Sequence, residues 1–173
     1  MSIANAPNYD FTNQLPAGSA KVGDDAESQA NAVHSIVIAV NGEYKDLYLN
    51  WHLVPESRPY IQPPEVKTQY VEIPGSDVTL DYTQALSGKP NYKNRTGSWD
   101  FLMIPDGNNP IVKYNEICKF LNGRRCTVQL RDYAERIYTG RVWVSSMKSD
   151  KMYSKITISY NLEPHPTGGS DAF

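Results

Sequence analysis

Apolar and polar residues alternate with a period of two over much of the chain between residues 35 and 164, which predicts strands. The run Ser35-Ile36-Val37-Ile38-Ala39-Val40 is short and apolar, and Asn41-Gly42 after it favours the positive φ angles of a tight hairpin. Lys45 to Leu53 reads as the returning strand, with Leu47, Leu49, Trp51 and Leu53 on one face. Pro55, Pro59, Pro63 and Pro64 then predict an extended connection. Val66 to Ile73 reads as a strand, Pro74-Gly75-Ser76-Asp77 as a turn, and Val78 to Tyr82 as a short extended piece. Gly88, Pro90 and Asn91 mark another turn before the longest strand, Tyr92 to Ile104. There Trp99, Phe101 and Met103 share a face, and Gly97 suggests a bulge.

One segment switches to helical spacing. Ile111, Tyr114, Ile117, Cys118 and Leu121 form a stripe at the helical period, with Lys113, Glu116 and Lys119 on the solvated side. Asn109 can cap this helix, Pro110 suits its first position and Gly123 its end. Three strands follow. Cys126, Val128 and Leu130 alternate in the first; Arg136 to Ser145 is the second. After a turn at Ser149-Asp150, Met152 to Leu162 is the third. The fold class predicted is mainly β: an antiparallel β-sandwich or barrel-like sheet pair with one packed α-helix, plus an extended N-terminal arm.

Composition divides the chain into three. Residues 1–34 have few large apolar groups and carry Asp10, Asp24, Asp25 and Glu27 against Lys21, so they read as an extended acidic arm. Residues 35–164 are the β-rich domain, and 165–173 a flexible tail. Over 173 residues the net charge is −2, which gives no basic field for nucleic acid or anionic membrane. No apolar run approaches the roughly 18 residues of a spanning helix, and the first residues lack a signal-peptide pattern.

Chemistry is sparse. His34, His52 and His165 have no His or Cys at ligand spacing, so no metal site is predicted. The two cysteines, Cys118 and Cys126, read as small buried hydrophobes. GxSxG, GxGxxG and P-loop patterns are absent. Asp77 and Asp81 flank turns, where a carboxylate bonds to backbone N–H groups. No catalytic or cofactor-binding residue is assigned. Arg124-Arg125 follow the helix and suit its negative end. Arg131, Arg136 and Arg141, near Asp132 and Glu135, suit exposed cross-strand or intersubunit ion pairs.

The segment from Ile73 to Gly88, IPGSDVTLDYTQALSG, followed by Tyr92-Lys93-Asn94-Arg95-Thr96-Gly97, resembles distal tail proteins of phages and prophages of Gram-positive bacteria. The likeness continues through Leu121-Asn122-Gly123, Tyr138-Thr139-Gly140-Arg141-Val142 and the KITI run, and upstream through Trp51-His52-Leu53-Val54. It covers about residues 36–164. It implies a structural virion protein, the ring-forming part of a distal tail subunit, assembled as a homohexamer between tail tube and tail tip or baseplate. DNA would pass through the lumen without specific binding. The expected location is the virion, and the host cytoplasm during assembly. Val78 departs from a Gly often found in the turn, and the acidic arm is outside the pattern. No second, carbohydrate-binding-like domain follows residue 164, so direct host binding is not expected.

Twelve tyrosines and three tryptophans are a heavy aromatic load, suited to strands and to subunit contacts. The candidate subunit interface is Trp51, Tyr70, Tyr92, Arg95, Arg136, Arg141 and Tyr153. Two other readings compete: a tail-tube or other baseplate subunit, which would stack into helical polymers, and a carbohydrate-binding module using surface Tyr and Trp.

Overall fold

The computed structural model describes residues 34–77, 79–83, 88–105, 107, 109–133, 136–149 and 153–167. The acidic arm up to residue 33, Val78, the turn at Asp150 and residues 168–173 lie outside these. The elements run β1 (Ile36–Val40), β2 (Glu43–Asp46), α1 (Leu47–Trp51), β3 (Leu53–Pro55), β4 (Tyr70–Glu72), β5 (Thr79–Asp81) and β6 (Arg95–Met103). They continue α2 (Pro110–Leu121), β7 (Arg125–Leu130), a 3-10 turn (Arg131–Tyr133), β8 (Ile137–Ser149) and β9 (Ser154–Leu162). The fold is mainly β with a packed helix, and all its strand pairs are antiparallel.

Seven strands form one sheet in the order β2-β1-β7-β8-β9-β6-β3, and β4-β5 form a separate ribbon. The two edge strands of the large sheet, β2 and β3, are joined only by α1 and His52. Laid flat, seven strands would hold their edges about 29 Å apart. A helix of five residues is only about 7.5 Å long. The sheet therefore curls until its edges nearly meet, and α1 bridges the gap. Inside the curl lie Ile36, Ile38 and Val40 of β1, Val128 of β7, Val142 of β8, Ile156 and Ile158 of β9, and Phe101 of β6. Helix α2 adds Ile117 and Leu121 to this core.

The region read as one strand from Lys45 to Leu53 is strand, helical turn and strand. Asp46 decides this: its carboxylate accepts from the N–H groups of Tyr48 at 2.9 Å and Leu49 at 3.0 Å, capping α1. His52, with φ 54°, ends the turn in the left-handed region. Leu47 and Trp51 are four residues apart, so both bury on one helical face as well as on one strand face, and the sequence pattern satisfies either reading.

Helix α2 has the expected start and finish. Asn109 Oδ1 accepts from Ile111 N at 2.9 Å, and Asn122 with Gly123 turns the chain out through positive φ. Its faces are rotated from the expected ones. Lys113 is buried, its ammonium donating to the Ile104 carbonyl at 3.3 Å, whereas Ile111 is 58% exposed. A long aliphatic stem lets a lysine lie on apolar surface while its head reaches a carbonyl.

Gly97 makes no bulge. The β6–β9 register runs unbroken from Arg95↔Leu162 to Met103↔Ser154. A Cβ at Gly97 would stand 2.5 Å from Tyr160 Oη, so the glycine makes room for that ring, which stacks on Trp99 at 4.3 Å. The irregularity falls in β8 instead, between Val144 and Ser146. Residues 165–167, expected to begin the flexible tail, run along β8, where Thr167 exchanges backbone hydrogen bonds with Ile137 at 2.8 and 3.0 Å.

Candidate subunit interface

Between β3 and β6 the chain leaves the barrel for almost forty residues. Its first part is an extended strap, fastened to the core by polar bonds because its prolines deny it a ladder of its own. Trp99 Nε1 donates to the Tyr60 carbonyl at 2.8 Å, and Gln62 N donates to Tyr160 Oη at 3.0 Å. Arg95 donates to the carbonyls of Gln62 and Pro164 and lies over the Tyr138 ring. The strap then meets the returning chain: Lys67 N donates to Asn91 O and Lys93 N to Glu65 O, both at 2.7 Å.

Beyond this clasp projects the β4–β5 ribbon, with Val71 opposite Leu80 and Glu72 opposite Thr79. It covers less of the region than the expected strand from Val66 to Ile73; Val66 makes only an isolated bridge to Tyr92. Alternation puts Val71, Ile73, Leu80 and Tyr82 on one face and Tyr70, Glu72, Thr79 and Asp81 on the other. Neither face is covered by the described residues: Val71 is 44% exposed, Leu80 41% and Tyr70 60%. A lone two-stranded ribbon is marginal in water. Asp81 has the turn role expected of it, accepting from Thr83 N at 2.8 Å, and the hydrogen bonds from the Thr83 hydroxyl and N–H hold its carboxyl below the usual range.

The seven candidate residues do not form one patch. Trp51 and Arg95 lie inside the domain, 4% and 5% exposed. Trp51 packs on Phe120 at 5.6 Å, and Arg95 serves the strap as described. Both are committed to contacts within the chain. Tyr70 stands on the ribbon, and Tyr92 at its base, where its ring meets His165 edge-on at 5.5 Å. Arg136 is half-buried where β8 begins. Arg141 is exposed on β8, opposite Asn161, whereas the exposed Tyr153 precedes the other end of β9. Eight residues of strand separate Asn161 from Tyr153, about 27 Å. Arg131, grouped with the exposed cations from sequence, is buried against Asp46. Sequence reasoning passed over the apolar face of the ribbon. The signal was there: Val71 and Ile73, and Leu80 and Tyr82, alternate in two short runs that a turn brings together.

A second feature also escaped it. Between the β1–β2 hairpin and the C-terminal half of α2 lies a groove of about 410 Å³. Val40, Trp51 and Phe120 give it apolar walls, and its polar lining is mixed in charge, with Lys45, Lys119 and Arg124 beside Glu43 and Glu116. Lys45 is paired with Glu43 at 3.2 Å and lies over the Trp51 ring. Lys119 and Arg124 have no carboxylate partner among the described residues. Beside Arg124 the positive surface continues, since Arg125 stands directly opposite Arg141 across β7–β8. Arg125 meets Glu163 at 2.5 Å, and Arg141 donates to the Gly123 carbonyl at 2.7 Å.

A curled antiparallel sheet, a helix against its core and a ribbon thrown out between β3 and β6 make a specific outline. Among solved structures, the Dit protein of phage SPP1, a distal tail hub protein, has a similar overall fold. The two superpose with a TM-score of 0.55 and 14% sequence identity, over 78% of this chain and 52% of that one. The fold is that of a phage distal tail protein. The chain spans about half the length of the SPP1 protein, which is described as a paradigm of the hub adsorption apparatus in phages that infect Gram-positive bacteria. A chain from the tail of an empty GTA particle with C6 symmetry aligns over 86% of this chain and all of its own, at 11% identity and a TM-score of 0.42. No protein-family model and no curated protein matches the sequence.

Within the distal tail fold, the resemblance motifs have structural meanings. In Tyr92 to Gly97, Asn94 donates to the Asn161 amide oxygen at 2.8 Å, Arg95 clamps the strap, and Gly97 admits Tyr160. In Tyr138 to Val142, Gly140 lies so close to β9 that a Cβ would stand 2.2 Å from the Asn161 carbonyl oxygen.

Proposed function

We propose that this chain is a structural virion protein, a distal tail ring subunit that joins tail tube to tail tip or baseplate and surrounds the channel for DNA. The observation that carries the reading is the ribbon: a distal tail fold here projects β4–β5 with an apolar face that none of the described residues covers. A face of this kind is completed by a neighbouring copy. Heterologous contacts between identical copies close into a ring when the rotation allows. Six copies are proposed, with tail-tube and tip proteins as partners above and below. The lumen needs no specific affinity for DNA.

The test is electron microscopy of the purified chain and of the tails that contain it. Six-fold rings in a single layer are the expected result. A chain that stays monomeric at high concentration, with no ring in the tail, overturns the proposal. Stacked helical polymers would replace it with a tube subunit.

A further inference from the structure

We infer that the β4–β5 ribbon of the next copy pairs, as added strand, with the open edge of β8. The inference rests on the ring reading and gives it an acceptor site. Strand β8 runs from Ile137 to Ser149, but its ladder with β7 ends at Arg141. Val142 N–H is taken by the Cys126 sulfur. From Trp143 to Ser149, about 23 Å of strand, the edge of β8 away from β9 makes no backbone hydrogen bond to any described residue. Apolar surface borders that edge on its inner side. Helix α2 packs beside β8. One flank of α2, with Glu116, Lys119 and Phe120, faces the groove, and Lys113, Ile117 and Leu121 face the core. The opposite flank is Ile111, Tyr114 and Cys118, three and four residues apart on one side of the helix. Ile111 is exposed, and Tyr114 and Cys118 are half-buried. From β8, Val144 and Met147 reach the core and are themselves only partly covered.

The ribbon supplies the complement of both features. Its strands pair only with each other, so each keeps an outer edge. Tyr82 N donates to Gln69 O across the ribbon. Alternation then turns the backbone groups of Tyr70 and Glu72, and those of Thr79 and Asp81, outward. Set beside β8, the apolar face of the ribbon continues the inner side of the sheet over the flank of α2. The opposite face, with Glu72 and Asp81, continues the solvent side, where Trp143 is exposed. In strand addition the backbone bonds give affinity and the side-chain face gives selectivity. The bulge between Val144 and Ser146 and the charge of Lys148 guard this edge against chance strands. A partner must therefore bring an apolar face as well as a free edge, and the ribbon has both. Ribbon and β8 edge are unlike patches, so their contact is head-to-tail and closes a cycle when repeated by rotation.

The test uses the full chain, with mass photometry to read assembly. Hydrogen exchange of the peptide from Trp143 to Lys148 is expected to be fast in the monomer and at least about tenfold slower in the ring, because pairing satisfies its amides. Ile111→Asp changes an exposed side chain, so thermal melting should stay as in the parent while the concentration needed for assembly rises at least about tenfold. In a Cys118→Ser background, Leu80→Cys combined with Ile111→Cys should give, with a short bismaleimide, a ladder of covalent oligomers reaching six on a denaturing gel. Each of the two single-cysteine chains should remain a monomer there, since a head-to-tail contact never brings like sites together.

If the parent forms rings while the Trp143–Lys148 peptide still exchanges fast, or while the double-cysteine chain stays monomeric on the gel, the assignment is overturned and the ring reading stands. The same holds if Ile111→Asp assembles like the parent. A peptide already protected in the monomer would mean that the edge is covered within the chain, and the inference fails. A parent chain that forms no ring anywhere overturns the ring reading itself, and this assignment with it.

Discussion

Arg131 and Asp46 meet at 2.7 Å with each side chain only 5% exposed, far from each other in sequence and at the seam where the curled sheet closes. Asp46 does three things there. It pairs Arg131, accepts from the Ser35 hydroxyl at 2.6 Å and caps α1. Losing the carboxylate breaks a buried ion pair from one side, which costs up to about 3–5 kcal/mol, and removes the α1 cap for about 1 kcal/mol more. Asp46→Ala is expected to lower stability by most of that sum in urea or thermal unfolding. The double variant with Arg131→Met should be less destabilised than Asp46→Ala alone, because the buried charge is then removed together with its carboxylate. A double variant at least as unstable as Asp46→Ala would show that the pair is not what holds the seam.

Two glycines give a graded test of close packing. At Gly97 an added methyl meets a side chain, the Tyr160 ring; at Gly140 it meets backbone, the Asn161 carbonyl. A ring can tilt, whereas a strand in the middle of a sheet cannot move without losing its ladder. Gly97→Ala is expected to cost about 1–3 kcal/mol, and Gly140→Ala distinctly more. Replacing Tyr160 by Leu should recover part of the first loss and none of the second. Equal losses at both glycines in chemical denaturation would contradict this account.

Sequence pattern reached most of the barrel because its strands obey period two and its helix carries cap residues at both ends. It missed α1 because Leu47 and Trp51 satisfy both periods, and the arbiter, the Asp46 cap, is held by Ser35 and Arg131, which are distant in sequence. It misplaced Lys113 because a lysine buried along its stem has the same spacing as an exposed one. The interface candidates were chosen by residue type, and type does not separate a core tryptophan such as Trp51 from an exposed one such as Trp143, which is 38% exposed. The groove was out of reach, since it joins β1, β2 and α2 only after the sheet has curled.

Burial pushes the Cys126 thiol up to about 11 from 9.0, with the sulfur set 3.6 Å from the Gly140 carbonyl oxygen. Burial also raises the Tyr160 hydroxyl. A group whose folded pKa lies above its unfolded one binds its proton more tightly when folded. Its contribution is complete below the unfolded value and is lost as pH climbs toward the folded one. For Cys126 that window runs from about pH 9 to about 11. Stability is expected to fall across it, and Cys126→Ala should flatten the decline without abolishing it, since Tyr160 remains. Thiol reagents at pH 8 should modify the half-buried Cys118 first and Cys126 about a hundredfold more slowly. Equal labelling rates in the folded protein would contradict the burial of Cys126.

The apolar face of the ribbon separates assembly from folding. Val71 and Leu80 face each other across β4–β5, both more than 40% exposed, and neither touches the barrel core. Replacing both by Ser removes one cross-strand apolar pair, worth about 0.2–1 kcal/mol, so the barrel's melting transition should hardly move. The same change removes the centre of the proposed contact, where truncation commonly costs 2 kcal/mol or more, roughly thirtyfold in affinity. Sedimentation velocity should then show monomer at concentrations where the parent chain forms rings. A double-serine variant that assembles normally would mean that the ribbon's exposed face is not a subunit contact. One that unfolds together with the barrel would mean that the ribbon is part of the domain's own stability.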